Sequence, residues 1–182
     1  MSKHKILIPL DGSKFSQQIL PYVCDFFSPT DNELILLRVA PESQGLLAMP
    51  PQPVAVHWAV PMYRSQRDVE FAQHPIYASQ VWDSQVAILK NELRDNILYL
   101  RRTGYTVSPA IRSGHPAQEI LKLIAEEKVD LVVMTSHGRT GLSRLMFGSV
   151  AEEVLREASV PVMVLRPKAF QKDLESLEQG QE

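Results

Sequence analysis

Gly138 is followed by nine residues and then by Gly148-Ser149. Glycine lets a ligand approach the main chain closely. A glycine-serine pair at a helix start offers backbone N–H groups and a hydroxyl, donors suited to phosphate oxygens, and the helix dipole there favours an anion. The apolar run Leu131–Met134 leads into this segment, and helical spacing through Val150, Val154, Leu155 and Ala158 leads out of it. Strand, glycine loop and helix N-terminus is therefore the order read here, an order that binds phosphate. The loop is neither of two familiar types. No lysine follows either glycine, as G-x-x-x-x-G-K-[ST] requires, and no G-x-G-x-x-G occurs. Arg139 and Arg144 add positive charge inside the loop. Spacing alone leaves two readings open: a phosphate cradle, or turns at Gly138 and Gly141 with Ser149 as a helix N-cap.

Asp11-Gly12-Ser13 is the second polar cluster. An acid at the end of a first strand can accept hydrogen bonds from a ribose or base. The alternative is an Asx turn or an N-cap in which Asp11 or Ser13 starts the first helix. Ser136 and His137 are adjacent in sequence, which does not make a nucleophile–base pair, because that pairing is spatial. His137 is read as positioning the loop, and His115, before Pro116, as a turn or cap residue. His4, His57 and His74 have no metal-ligand spacing. No carboxylate pair with a defined catalytic geometry is evident, so the residues name no catalytic group. The single Cys24 excludes an internal disulfide framework and reads as a small core hydrophobe.

These residues need elements to hold them. Lys5–Leu10, Glu33–Val39, Tyr105–Ile111, the run from Leu131 and Pro161–Leu165 read as five short strands. Pro109 places the third near a sheet edge. Helical spacing runs from Ser16 to about Phe27, and from about Ala78 to Thr103 through Val86, Leu89, Leu93, Ile97 and Leu100, with Gly104 as the stop. A helix over Ala117–Glu127 follows Pro116, and another runs from Ser149 to about Ala158. Alternation of apolar strands with helices predicts an α/β fold with a parallel sheet covered on both faces. Ligands of such sheets sit beyond the carboxyl ends of the strands, where strand order reverses.

Between Pro41 and about Pro75 the periodicity is lost among six prolines, with apolar residues such as Leu46, Val54, Trp58 and Phe71 scattered through. A segment this long reads as a variable insertion packing on the surface, with a lid or partner-binding arm as the alternative. Residues 168–182 are charged and read as a flexible tail. At 182 residues, with 45% apolar and 22% charged content, the chain reads as one globular domain over 1–167 with its insertion at about 41–78. A net charge of −2 gives no general footprint for nucleic acid or an acidic membrane. No stretch reads as a membrane span or a signal peptide, so the cytoplasm is the expected location.

The motifs resemble those of the universal stress protein family, in its single-domain, ATP-binding subgroup. The resemblance rests on IPLDGS after the first strand, LLRV closing the second, and VVMTSHGRTGLSRLMFGSVAEEVL followed by PVMVLRP, and it covers about residues 3–40 and 80–167. It implies a five-stranded parallel sheet of order 3-2-1-4-5 in a Rossmann-like α/β sandwich. It implies a homodimer through the last strand, Pro161–Leu165. The ATP-binding subgroup carries G-x2-G-x9-G-[ST]. Gly138, Gly148 and Ser149 match it, whereas Thr135 stands where the first glycine belongs. By resemblance, Pro9, Asp11 and Val39 line the adenine and ribose pocket, Met134 and Thr135 flank the ribose, and Gly138, Gly148, Ser149 and Val150 hold the phosphates. The expected ligand is ATP, with Mg or Mn carried on its phosphates; AMP or a cyclic nucleotide is the alternative. The expected function is that of a cytoplasmic stress-response or signalling protein whose nucleotide state modulates binding of a protein partner. Two other readings compete: an adaptor of the same fold that binds no nucleotide, which Thr135 favours, and a slow ATP hydrolase.

Overall fold

The computed structural model describes residues 3–40, 75–136 and 147–167, and for residues 75–81 it describes the backbone. The elements in order are β1 (His4–Pro9), α1 (Lys14–Gln17), α2 (Ile19–Phe26), β2 (Asn32–Ala40), α3 (Pro75–Arg102), β3 (Thr106–Ser113), α4 (Pro116–Glu127), β4 (Leu131–Thr135), α5 (Ser149–Glu157) and β5 (Val162–Leu165). The insertion between β2 and α3 and the tail after residue 167 lie outside the described residues, as does the loop from His137 through Gly138, Arg139, Gly141 and Arg144.

The strands form one five-stranded sheet of order β3-β2-β1-β4-β5, all parallel, as the family resemblance implied. Central strands of such a sheet are buried on both faces, so they are apolar throughout rather than alternating. Ile6, Leu7 and Ile8 of β1 are accordingly all buried. Ile6 and Ile8 pack with Leu34, Leu36 and Val133 under α2 and α3, which contribute Ile19, Leu20, Val23, Leu93 and Leu100. Leu7 packs with Ile35, Leu37, Val39, Val132 and Met134 under α4 and α5, which contribute Ala117, Ile120, Leu123, Ala151 and Val154. Among the described residues β3 is an edge strand, paired with β2 alone, and this is where Pro109 costs no sheet hydrogen bond on its outer side.

Two helices differ from the sequence expectation. The single helix expected from Ser16 to about Phe27 is broken at Gln18 into α1 and α2. Pro21 accounts for the break: it has no N–H to give to the Gln17 carbonyl, and its ring crowds that carbonyl. Helix α3 starts at Pro75, before the expected Ala78, and spans 28 residues. It ends as the sequence indicates. Gly104 (φ +99°) follows the last turn, its N–H donating to the Arg101 carbonyl at 3.0 Å and that of Tyr105 to Leu100 at 3.1 Å. This pair of bonds is the Schellman arrangement, and Leu100 and Tyr105 supply its apolar contact. No helix among the described residues is long and apolar enough to cross a membrane.

Candidate functional site

Strand order reverses between β1 and β4: the chain proceeds from β1 outward to β2 and β3, then crosses to β4 and β5. The carboxyl ends of β1 and β4 flank the resulting crevice. Leu7 pairs with Ile35 and with Val132. Continuing that register by four residues sets Asp11 level with Val39 and Ser136. Pro9, Val39 and Met134 share the sheet face covered by α4 and α5, because alternate residues point to one face and Leu7, Leu37 and Val132 lie there. Thr135 alternates to the opposite face, where Val133 lies, and is buried.

The Asp11 turn is built from its own side chains. Asp11 Oδ1 accepts the Ser13 N–H at 2.9 Å. Ser13 Oγ accepts the Ser16 N–H at 3.1 Å and so caps α1. The Asx-turn and N-cap alternative for Asp11-Gly12-Ser13 is thus present in the structure. Gly12 is held at φ +82°, a conformation costly for other residues.

On the other side of the crevice, the Ser136 N–H donates to the Leu165 carbonyl at 2.8 Å. The Ser136 carbonyl accepts the Gly148 N–H at 2.7 Å, which docks the start of α5 onto the end of β4. Gly148, not Ser149, is the N-cap: Glu152 N–H donates to the Gly148 carbonyl at 2.9 Å, and Ser149 is the first helical residue. The reading of Ser149 as a cap is corrected by this geometry. A glycine cap has no side chain to satisfy the first turn. The N–H groups of Ser149, Val150 and Ala151 have no acceptor within the helix, and they are the donors that an anion at this terminus meets. Ser149 is exposed and Val150 half-buried. Gly138 lies outside the described residues.

Two further residues line the carboxyl edge. His115 is the N-cap of α4, within the cap role expected for it, but its ring makes no capping bond. Its Nδ1 stands 3.8 Å from Glu153 Oε1 on α5. Arg38, at the end of β2, was not singled out from the sequence. An arginine inside the run ELILLRVA is the signal that could have found it, since a charge in a buried strand requires a partner.

Among the described residues no group of three or more His, Cys, Asp and Glu side chains is placed to hold a metal ion. The phenol of Tyr105 is pushed upward in pKa chiefly by burial, but Tyr105 opens β3 at the opposite edge. A groove of about 390 Å³ also lies away from the crevice, between α4 and β3. Of the charges in it, Lys5 is already paired with Glu33 and Glu127, and Arg112 with Glu126.

Comparison with known proteins places the chain. The model described as the universal stress protein family matches residues 3–166. Universal stress protein MJ0577 of Methanocaldococcus jannaschii is 27% identical over 168 residues, which are 90% of this chain and 95% of that one. The solved structure of MJ0577 superimposes with a TM-score of 0.69, covering 93% of this chain and all of the other. A universal stress protein from Arabidopsis thaliana with AMP bound has a TM-score of 0.55 at 16% identity, over 91% of this chain and 93% of its own. A universal stress protein in complex with cAMP also has a TM-score of 0.55, at 18% identity, over 92% of this chain and 100% of its own. These last two share the fold.

Proposed function

The chain belongs to the universal stress protein family, and from that premise we propose that it binds an adenine nucleotide, ATP in the first instance, in the crevice between β1 and β4. The observation that carries this reading is the glycine-capped start of α5, docked on Ser136, where the cap residue has no side chain to take up the first-turn N–H groups. Ser149 and Val150 are the phosphate donors, together with Gly138. Pro9, Asp11 and Val39 receive the base and ribose, with Met134 beside them. Gly148 then has a role different from that of its neighbours: its N–H is spent on Ser136, and its value is the missing side chain. Thr135 is compatible with this reading, because alternation turns it to the face opposite Val39 and Met134. Family members of the same fold with AMP or cAMP support an adenine ligand. A divalent ion would arrive on the phosphates.

The expected setting is a cytoplasmic homodimer formed at β5, which among the described residues pairs with β4 alone. Nucleotide occupancy would then modulate binding of a protein partner. The test is to denature the purified protein and identify any released nucleotide by mass spectrometry, then titrate ATP into the stripped protein by calorimetry. Binding that is lost in a folded Gly148→Val variant supports the reading. Absence of both released nucleotide and binding heat overturns it and leaves the adaptor reading.

A further inference from the structure

Arg38 precedes Val39 and faces the other way, toward α3. Its side chain is 8% exposed, and its Nε donates to Glu92 Oε2 at 3.2 Å. Its Nη1 also donates to the Val39 carbonyl at 3.4 Å. Gly12 lies directly against this pair. A Cβ at Gly12 would stand 2.9 Å from Arg38 Nη2 and 3.4 Å from Glu92 Oε2. The Asp11 turn, β2 and α3 therefore meet at one point, made of a glycine backbone and an ion pair.

The level of this contact on α3 matters. The 17 residues from Pro75 to Asn91 precede Glu92 and extend about 25 Å of helix from it, whereas two residues of β2 beyond Arg38 extend about 7 Å. The amino-terminal part of α3 thus overhangs the carboxyl edge of the sheet, and Ile88 within it is 61% exposed. Among the described side chains from 82 to 91 none is buried, and the Arg38–Glu92 pair ties this part of α3 to the sheet.

We propose that Arg38 is a positioning residue that joins the Asp11–Ser13 turn to the overhanging half of α3. This deepens the nucleotide reading and rests on it for the ligand. A ligand that favours one placement of the turn favours one placement of α3, and the linkage runs equally in reverse. The guanidinium suits the role because its fork reaches Glu92 and the Val39 carbonyl together, which an ammonium does not.

The test is hydrogen exchange on the full chain without nucleotide, followed by ATP calorimetry. The variants are Glu92→Ala and the double variant Arg38→Met with Glu92→Ala. The double variant leaves no buried charge unpaired, and it carries the test if the single one fails to fold. Breaking the pair should speed exchange about threefold or more at residues 11–16 as well as at 82–92, and leave 104–107 unchanged. ATP affinity should fall about fivefold or more although Glu92 lies outside the crevice. Unchanged exchange at 11–16 in the folded double variant overturns the inference, whatever ATP does. A wild-type protein that gives no ATP binding removes the nucleotide reading, and the nucleotide-free exchange still decides the link.

Discussion

The two edges of the sheet are finished differently. At the amino edge, polar groups are paired off within the chain. Lys5 N–H donates to Asp130 Oδ2 at 2.8 Å, and Asp130 N–H returns to the Lys5 carbonyl at 2.9 Å. Lys3 Nζ donates to the Pro29 carbonyl at 2.7 Å, and the Tyr105 hydroxyl donates to the carbonyls of Val23 and Phe27. Helix α3 arrives there with its last carbonyls closed by Gly104 and Tyr105. At the carboxyl edge the helices begin. Of α1, α4 and α5, only α1 has a side-chain cap. Parallel β-α units aim every such helix start at the same edge, so the positive dipole ends and first-turn donors collect there. The lesson is a difference within one sheet: one edge is closed by polar groups paired within the chain, and the other gathers helix starts, two of which have no side-chain bond from their cap residue.

Substitutions can break or sharpen that contrast. The largest effect belongs to the shared core. Leu36→Ala, at a fully buried position, should cost about 2–5 kcal/mol in denaturant unfolding and move ATP affinity little in the protein that remains folded. Next is Gly12→Ala, which places a Cβ at φ +82° against Arg38. It should cost about 1–2 kcal/mol and weaken ATP binding as well, read by melting and calorimetry together. Tyr105→Phe removes hydroxyl bonds at the amino edge and should cost about 1 kcal/mol with ATP affinity unchanged. The sign of its pH effect follows from the raised phenol pKa: the stabilisation is full below the ordinary tyrosine value and is lost as pH rises through the higher folded value, and Tyr105→Phe should remove that alkaline loss. The smallest effect is Glu119→Gln. It neutralises the partner of Lys122, at 2.6 Å and i,i+3 on α4, and should change stability by about 0.5 kcal/mol or less.

Much of this architecture was legible as pattern. The five apolar runs became the five strands because parallel strands need apolar residues on both faces. Gly104 and Pro109 announced a helix end and an edge strand through their backbone chemistry. Strand order was not in the periodicity: it came through the family resemblance and is confirmed by the register of β1 with both β2 and β4. The break at Gln18 is hidden in the apolar pattern because Ile19, Leu20 and Val23 keep helical spacing across it, and Pro21 is the residue that signals it. Pro9, Asp11, Val39, Met134 and Thr135 stand at or just past the carboxyl ends of β1, β2 and β4, and Gly148, Ser149 and Val150 at the start of α5. What spacing could not supply was orientation. Side-chain alternation turns Thr135 away from Met134, the Glu152–Gly148 bond shifts the cap by one residue, and the Gly148–Ser136 bond docks α5 onto β4. Arg38 was hidden for a related reason: its partner Glu92 is 54 positions away in sequence.

The most direct test of the contrast between edges is an amide chemical-shift map of the isotopically labelled, nucleotide-stripped protein titrated with ATP. The predicted result is a cluster of shifts at Asp11–Ser13, Thr135–Ser136 and Ser149–Ala151, with Lys3–Lys5, Tyr105 and Asp130 silent. Shifts confined to the groove between α4 and β3, or no shifts at saturating ATP, would contradict the account.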